Sequence, residues 1–185
     1  MKISPPVLLL LILTLVVLLA KLALEAPTTA IERDRWRQAA DNTLALKQAL
    51  DHYYAEYAKP PDLGTQDMEI HTEGRVGITL LRILLGREDT GTEMQNPRQI
   101  AFLNSKVSKN KNRGGLVYTN RGSWPDPEGF YDSWGNSFRV FLRKPDASRL
   151  SFPYGGQTLS LDQPFAVFSC GPDKVPGTKD DLKSW

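Results

Sequence analysis

The stretch WRQAADNTLALKQALDHYYAEYAKPP, residues 36–61, decides the fold. Apolar and semi-apolar residues recur in it at alternating steps of three and four, which is the spacing of one face of an α-helix. That face is formed by Trp36, Ala39, Thr43, Leu46, Leu50, Tyr53 and Tyr57. The two prolines at 60 and 61 require the helix to end before them. The stretch therefore predicts the last part of a long amphipathic helix, one side of which packs against the rest of the domain.

The segment before this helix is apolar. Residues 7–24 carry a single charge, Lys21, whose aliphatic stem lets the ammonium reach outward. As a helix these residues rise about 27 Å, close to the hydrocarbon thickness of about 30 Å. A membrane anchor is therefore predicted over residues 1–26. A cleaved secretory signal peptide is the competing interpretation, although a cut after Ala26 would place Pro27 directly behind it.

Proline chemistry suggests where the anchor ends. Pro27 is predicted to end the membrane helix, and the capping-box spacing of Thr29 and Glu32 predicts that a second helix starts there. The chain then has three parts: an anchor over 1–26, an amphipathic helix over 27–59 and a globular part over 60–185.

The globular part shows short runs of regular structure separated by turn residues. A buried helix is predicted over 77–85 and a further turn over 99–103. Strands are predicted over 115–119, 137–142 and 164–169, a tight turn at Gly135-Asn136, and a loop at Pro125, Asp126, Pro127 and Gly129. The fold class is therefore α+β: a long helix packed on a small antiparallel sheet.

Composition and charge exclude several classes of function. With 23 basic and 21 acidic residues the net charge is +2, a mixed surface without the basic stripe typical of nucleic-acid binding. The basic run over 106–113 contains no aromatic residue for base stacking. One cysteine and two histidines, His52 and His71, are too few for a zinc site. No hydrolase, zinc-protease or phosphate-loop motif is present, so neither an enzyme nor a small-molecule substrate is expected.

Three carboxylates lie within nine residues near the C-terminus: Asp173, Asp180 and Asp181. Gly171, Pro172, Pro176 and Gly177 make this segment turn, so that its ends can converge. Calcium takes six to eight oxygens from carboxylates and backbone carbonyls, and a turning acidic loop is the kind of segment that supplies them. A solvated surface turn, in which Thr178 caps a short helical turn and Lys174 and Lys179 neutralise the acids, is the alternative that these residues leave open.

Two segments resemble the major pseudopilin family of bacterial type II secretion, general secretion pathway protein G. DSWGNSF at 132–138 resembles that family's Asp-Pro-Trp-Gly-Asn-Pro-Tyr turn. SCGPD at 169–173, followed by GTKDDLKSW at 177–185, is similar to its Ser-x-Gly-x-Asp … Gly-Thr-x-x-Asp-Ile-x-x-Trp ending. The long helix ending before Pro60 matches in type and place.

The resemblance implies a pseudopilin-like fold and a structural calcium ion near the C-terminus. By position it assigns the carboxylate ligands to Asp173, Asp180 and Asp181, with backbone carbonyls around Cys170 and Thr178. It also implies partners: the membrane, and other pseudopilin or secretion-apparatus subunits that meet the helix near Trp36.

The predicted function is thus a calcium-stabilised structural subunit related to type II secretion, anchored in the bacterial inner membrane with its domain in the periplasm. The count of positive charges favours the opposite orientation, since Lys2 alone precedes the span and several cations follow it. Residues 1–24 contain neither glycine nor an acidic residue, unlike a prepilin leader and the helix that follows it. The alternative is therefore a free-standing envelope module, membrane-anchored or secreted, that uses the pseudopilin domain without polymerising.

Overall fold

The computed structural model describes residues 5–64, 69–89, 93–119, 125–144 and 146–185; within the first helix it describes the side chains of Thr14 and of Thr29 onward. The chain divides into two compact units, Met1–Arg37 and Gln38–Trp185. Its helices and strands are α1 Pro5–Tyr57, β1 Glu69–His71, α2 Gly74–Leu85, β2 Val107–Ser108, β3 Gly115–Thr119, β4 Asp126–Tyr131, β5 Arg139–Leu142, β6 Leu150–Tyr154, β7 Gln157–Leu161, β8 Phe165–Ser169 and β9 Leu182–Lys183.

Helix α1 passes through Pro27, so the predicted interruption there, and a new helix start at Thr29, are wrong. Proline in a helix interior costs one backbone hydrogen bond and about 3 kcal/mol. The residues before it, 22–26, are leucine, alanine and glutamate, which are good helix formers, and two threonines follow it directly.

Among the described residues, no helix combines the length and the apolar character needed to span a membrane. The anchor was predicted over residues 1–26. Residues 1–4 lie outside the described part of the chain, and within 5–26 only the side chain of Thr14 is described. The anchor stays a prediction.

The apolar face predicted for the long helix is confirmed over residues 39–53, whereas Trp36 and Tyr57 at its two ends are half-buried. Ala39, Leu46, Leu50 and Tyr53 are all completely buried. The helix ends at Tyr57, before the two prolines as predicted. Its end is closed by Ala58, which has a φ of 55° and donates its N–H to the carbonyl of Tyr54 at 2.8 Å.

The described strands form three small sheets. The central one is antiparallel throughout, in the order β1-β5-β8-β9. The second has the order β2-β3-β4, in which β2 and β3 are parallel, and the third is the hairpin β6-β7. The α+β class is therefore confirmed, whereas the single antiparallel sheet expected from the sequence is divided into three.

The central sheet separates two cores. Along β8, Phe165 and Val167 point to the side of the helices, and Ala166 and Phe168 point to the other side. The first side, here called the helix-side core, contains Leu46, Ala49, Leu50 and Tyr53 of α1 together with the buried leucines and isoleucine of α2. The second, the hairpin-side core, contains Phe141, Leu150, Phe152, Ala166, Phe168 and Cys170. Because successive side chains of a strand point to opposite faces of the sheet, β8 contributes residues to both cores, and all five of its residues are buried.

Two local predictions fail for identifiable reasons. The loop predicted around Pro127 is instead strand β4, at the edge of its sheet. Pro127 lies opposite Tyr118, beside a register shift, where a strand tolerates a residue without an N–H. Residues 99–103 do not form a helical turn. Instead, the N–H groups of Phe102 and Leu103 donate to the carbonyl of Leu84, at 2.8 and 3.0 Å.

The other elements predicted from the sequence agree closely with the structure, whereas strands β1, β2, β6, β7 and β9 were not among the predicted ones. Strand β3 has the predicted bounds, and β8 and β5 begin one and two residues later than predicted. Helix α2 begins three residues before the predicted residue 77 and ends as predicted at Leu85. Gly86, with a φ of 64°, closes it in the left-handed conformation that glycine adopts without strain.

Candidate functional site

The C-terminal segment returns to the central sheet and becomes its last strand. Strand β9 pairs with β8, and the N–H of Ser184 donates to the carbonyl of Val167 at 3.0 Å. The ring of Trp185 packs edge-on against Phe152 and Tyr154, with centroids 5.5 and 5.4 Å away. The tail is therefore part of the hairpin-side core, and this fixes the base of the acidic loop that precedes it.

Asp132 organises the turn at 132–138. Its side chain is completely buried. One carboxylate oxygen, Oδ1, accepts the backbone N–H groups of Trp134 and Asn136 at 2.9 and 2.8 Å. Gly135 lies between them with a φ of 85°, as the predicted tight turn requires, whereas Asn136 does not have a positive φ. A carboxylate that accepts backbone N–H groups in this way closes the turn much as a capping residue closes a helix.

The other oxygen of Asp132 joins this turn to the C-terminal loop. Oδ2 accepts the Ser169 hydroxyl at 2.5 Å and the side-chain amide of Asn136 at 2.8 Å. The same amide donates to the carbonyl of Gly171 at 2.8 Å, and the N–H of Gly171 donates to the Ser169 hydroxyl at 3.1 Å. The two segments that carry the family resemblance are thus one hydrogen-bonded unit.

Glycine is required at the entry to the loop. Gly171 has a φ of 62°, and a Cβ atom there would lie 2.4 Å from the carbonyl oxygen of Asp180. Real Cβ atoms essentially never come that close to backbone. The two arms of the acidic loop, one entering at 171 and one leaving at 180, therefore approach each other more closely than any side chain would permit.

Asp180 lies where the two arms meet. The Thr178 hydroxyl donates to its Oδ1, and the backbone N–H of Asp173 donates to its Oδ2 at 3.2 Å. The hydrogen bond from Thr178 is the main reason that the pKa of the Asp180 carboxyl lies below its ordinary value. Asp173 itself is exposed and accepts the N–H of Val175 at 2.8 Å, which makes a local turn.

Asp181 is the buried member of the three, with only 8% of its surface exposed. Its Oδ2 accepts the Tyr154 hydroxyl at 2.5 Å and the N–H of Gly177 at 2.7 Å. Its Oδ1 is buried and has no hydrogen-bond partner among the described residues. Burial and, next, the bond to Asp181 raise the pKa of the Tyr154 phenol. An anionic oxygen without a partner in a buried position is costly, which makes it a natural ligand for a cation.

The structure thus brings Asp173 and Asp180 into contact. Asp181 follows Asp180 in the sequence, but its carboxylate is buried against Tyr154 and Gly177. In the part of the chain that the structure describes, no group of three or more His, Cys, Asp or Glu side chains is arranged to hold a metal ion. Cys170 belongs to the hairpin-side core, and burial raises the pKa of its thiol to about 11, so its carbonyl, not its sulfur, is the group relevant to calcium. Thr178 is half-buried and orients Asp180 through its hydroxyl.

The donor set nevertheless has the chemistry that calcium prefers. It consists of carboxylates and backbone carbonyls, all oxygen, in a loop without regular structure. Asp173, Asp180 and Asp181 would supply the carboxylates, with carbonyls around Cys170 and Thr178. The orphan Oδ1 of Asp181 is the feature of this structure that fits a cation best.

Sequence reasoning missed three contributors to this site: Asp132, Asn136 and Tyr154. Asp132 and Asn136 belong to the turn 132–138 that resembles the pseudopilin segment. An aspartate, a glycine and an asparagine within five residues were the signal that the two side chains act together in a turn. Tyr154 gave no such signal, because it lies 27 residues from Asp181 and meets it only through the hairpin β6-β7. The two histidines lie elsewhere: His52 is exposed on α1, and His71 ends β1 with its Nε2 3.5 Å from the carboxylate of Glu69.

No family model, curated protein or solved structure matches this chain.

Proposed function

We propose that this chain is a non-enzymatic, membrane-anchored structural subunit of the pseudopilin type, related to type II secretion, whose C-terminal loop binds a stabilising calcium ion. The proposed location is the bacterial inner membrane, with the domain in the periplasm, where calcium is abundant. The partners are the membrane and further subunits of the same kind, which contact α1 near Trp36.

One observation carries the proposal. The turn at 132–138 and the ending at 169–185 are more than thirty residues apart, and each resembles a pseudopilin segment on sequence alone. Asp132, Asn136 and Ser169 join them through side-chain hydrogen bonds of 2.5 to 2.8 Å. Segments that merely resembled a family by chance would have no reason to depend on each other in space. The packing of a long helix on a sheet adds to this support.

The calcium part of the proposal rests on the acidic loop. A calcium ion near Oδ1 of Asp181 would compensate a buried anionic oxygen that has no other partner among the described residues. Binding only to the folded state stabilises a protein by mass action, by about 2.7 kcal/mol when the ligand is at a hundred times its dissociation constant. Calcium would thereby hold the loop against the strand β9 that follows it.

Thermal unfolding of the full chain in detergent micelles, with and without millimolar calcium, tests the metal site. We expect a higher Tm with calcium and no such rise in Asp180→Ala. Asp162→Ala, which removes an exposed carboxylate outside the loop, is the matched control and should keep the full response. Equal melting of the unaltered protein with and without calcium would remove the metal from the proposal.

Cross-linking in the membranes of producing cells tests assembly. Single cysteines at the exposed positions Arg33 and Arg37 of α1 should give ladders of multimers with a short bifunctional maleimide. A cysteine at Thr158, exposed on β7, is the control. The native Cys170 is buried and should not react. Monomers alone, from a protein that keeps its calcium response, would instead favour the free-standing envelope module.

A further inference from the structure

A strongly basic segment, residues 106–113, contains strand β2 and the short 3-10 turn Lys111–Arg113, and is here called the basic loop. Its cations are Lys106, Lys109, Lys111 and Arg113, and all four are exposed. Within the described residues none of them forms an ion pair. The sequence from 94 to 125 contains no aspartate or glutamate, so no acid close in the sequence offsets these charges. The loop is a concentrated positive patch on a protein whose net charge is only +2.

The backbone of this basic loop is held in place. The Lys106 carbonyl accepts the N–H of Leu116 at 2.9 Å, and the Arg113 carbonyl accepts the side-chain amide of Gln38 at 3.0 Å. Between them, the Ser108 hydroxyl donates to the carbonyl of Asn110 at 3.0 Å. The cations therefore project from a backbone that is already ordered, and binding through them costs little further backbone entropy.

An apolar side chain lies among the cations. Val107 is 62% exposed, more than any other large hydrophobic residue in the described part of the chain. Cations flanking an exposed apolar residue are the pattern of segments that lie at a membrane surface, where the charges meet anionic headgroups and the apolar group enters the acyl boundary. An acidic protein surface would match the charges but would offer nothing specific to Val107.

The length of the connecting chain limits the distance between this basic loop and the proposed anchor. The loop is bonded to Gln38, the first residue of the unit 38–185. The anchor proposed above ends at residue 26, and the 12 residues from 26 to 38 span at most about 40 Å even when fully extended. Anchoring would therefore hold the basic loop at a high effective concentration near lipid.

From these observations we propose that the loop 106–113 docks on anionic lipid headgroups, with Val107 inserted among them, and so fixes the domain against the membrane surface. The proposal rests on the membrane anchor of the proposed function. It adds a second, electrostatic contact, which the anchor alone would not provide.

The test uses the full chain reconstituted into vesicles of phosphatidylcholine, with or without phosphatidylglycerol. An environment-sensitive fluorophore is attached at Val107→Cys, and its quenching by spin-labelled lipids reports insertion; Cys170 is buried and should stay unlabelled. We expect quenching in the anionic vesicles, little in the neutral ones, and loss of quenching at about 1 M salt, where the Debye length is about 3 Å.

Two variants with the same net charge then distinguish an effect of the basic loop from an effect of the overall charge of the protein. Each cation near an anionic surface raises the equilibrium constant for docking about fivefold. Replacing Lys106, Lys109 and Lys111 by glutamine should therefore lower the ratio of docked to undocked loop roughly a hundredfold. The control replaces three exposed lysines outside the loop, Lys59, Lys144 and Lys183, and should leave the quenching unchanged.

Several results would overturn the proposal: equal quenching in both kinds of vesicle, quenching that survives in the loop variant, or absence of quenching in a protein that floats with the vesicles. Photo-cross-linking of position 107 to a protein in cells, without lipid adducts, would also overturn it in favour of an acidic protein partner. If the proposed membrane anchor is wrong, the result is different: the chain would not float with neutral vesicles. Salt-sensitive flotation with anionic vesicles would then still show that the basic loop binds anionic lipid.

Discussion

The substitution Asp132→Asn tests whether one buried carboxylate joins the turn to the C-terminal loop. Asparagine has nearly the same shape, so packing is preserved and only the hydrogen bonding changes. Its amide oxygen can still accept the backbone N–H groups of Trp134 and Asn136. Its amide nitrogen replaces Oδ2 and faces the side-chain amide of Asn136, donor against donor, while the Ser169 hydroxyl can rotate to accept.

The expected magnitude follows from this arrangement. One hydrogen bond, at 2.8 Å in the unaltered protein, is lost, which costs about 1–1.5 kcal/mol. The bonds to the two backbone N–H groups remain, but they change from charge-assisted to neutral and lose about half of their strength. Relief from burying a charge offsets part of this. The net loss in the free energy of unfolding should be about 2 kcal/mol, or roughly 4–8 °C in Tm for a chain of this size.

Urea and thermal unfolding of the full chain in micelles, followed by tryptophan fluorescence, would measure this loss. Asp162→Asn, at an exposed carboxylate, should change stability by less than about 0.5 kcal/mol. A double-mutant cycle of Asp132→Ala with Ser169→Ala, in which each change removes the direct hydrogen bond between the two side chains, should give a coupling energy above about 0.5 kcal/mol. A fully stable Asp132→Asn variant, or strict additivity in the cycle, would refute the reasoning.

Two further predictions concern the helix and the acidic loop. Leu46→Ala, in the helix-side core, should lower the free energy of unfolding by about 3 kcal/mol, whereas Leu44→Ala, 54% exposed two residues earlier, should change it by less than about 0.5 kcal/mol; similar losses in urea titrations would contradict the packing of α1. The Thr178 hydroxyl lowers the pKa of Asp180 in the folded protein. The stabilisation that this hydrogen bond gives the folded state is therefore fully present above the unfolded carboxyl pKa of about 3.9, and it is lost as the pH falls through the lower pKa of the folded state. Thr178→Val should thus be less stable than the unaltered protein at neutral pH, with the gap closing in acid; a gap independent of pH between 7 and 3 would argue against this.

A local pattern predicted helix α1, whose buried residues recur at a regular period. The stripe on α1 could be read because burial of Leu46, Leu50 and Tyr53 requires helical spacing, which the sequence displays directly. Strand β4 could not, because Pro127 normally argues against a strand. Its acceptance depends on the edge position and on a register shift opposite Tyr118, and neither is visible in a single segment.

The candidate site divides in the same way. Residue types and turns near the C-terminus indicated oxygen ligands at Asp173, Asp180 and Asp181, and the quoted turn contained Asp132. The sequence did not indicate that Asp132 is the acceptor for Ser169, nor that Tyr154 bonds Asp181. These contacts join segments separated by 37 and 27 residues, and no local propensity specifies such pairs.

The sequence by itself therefore determined the α+β class, the long helix with its buried face, and an acidic turning loop at the end of the chain. Only the tertiary structure decided that the sheet separates two cores, that the tail forms the last strand of the central sheet, and that one oxygen of Asp181 is buried without a partner among the described residues. The physical reason is range. Helical and strand periodicity act between neighbours along the chain, whereas the partners of a buried carboxylate are chosen by which distant segments the cores bring together.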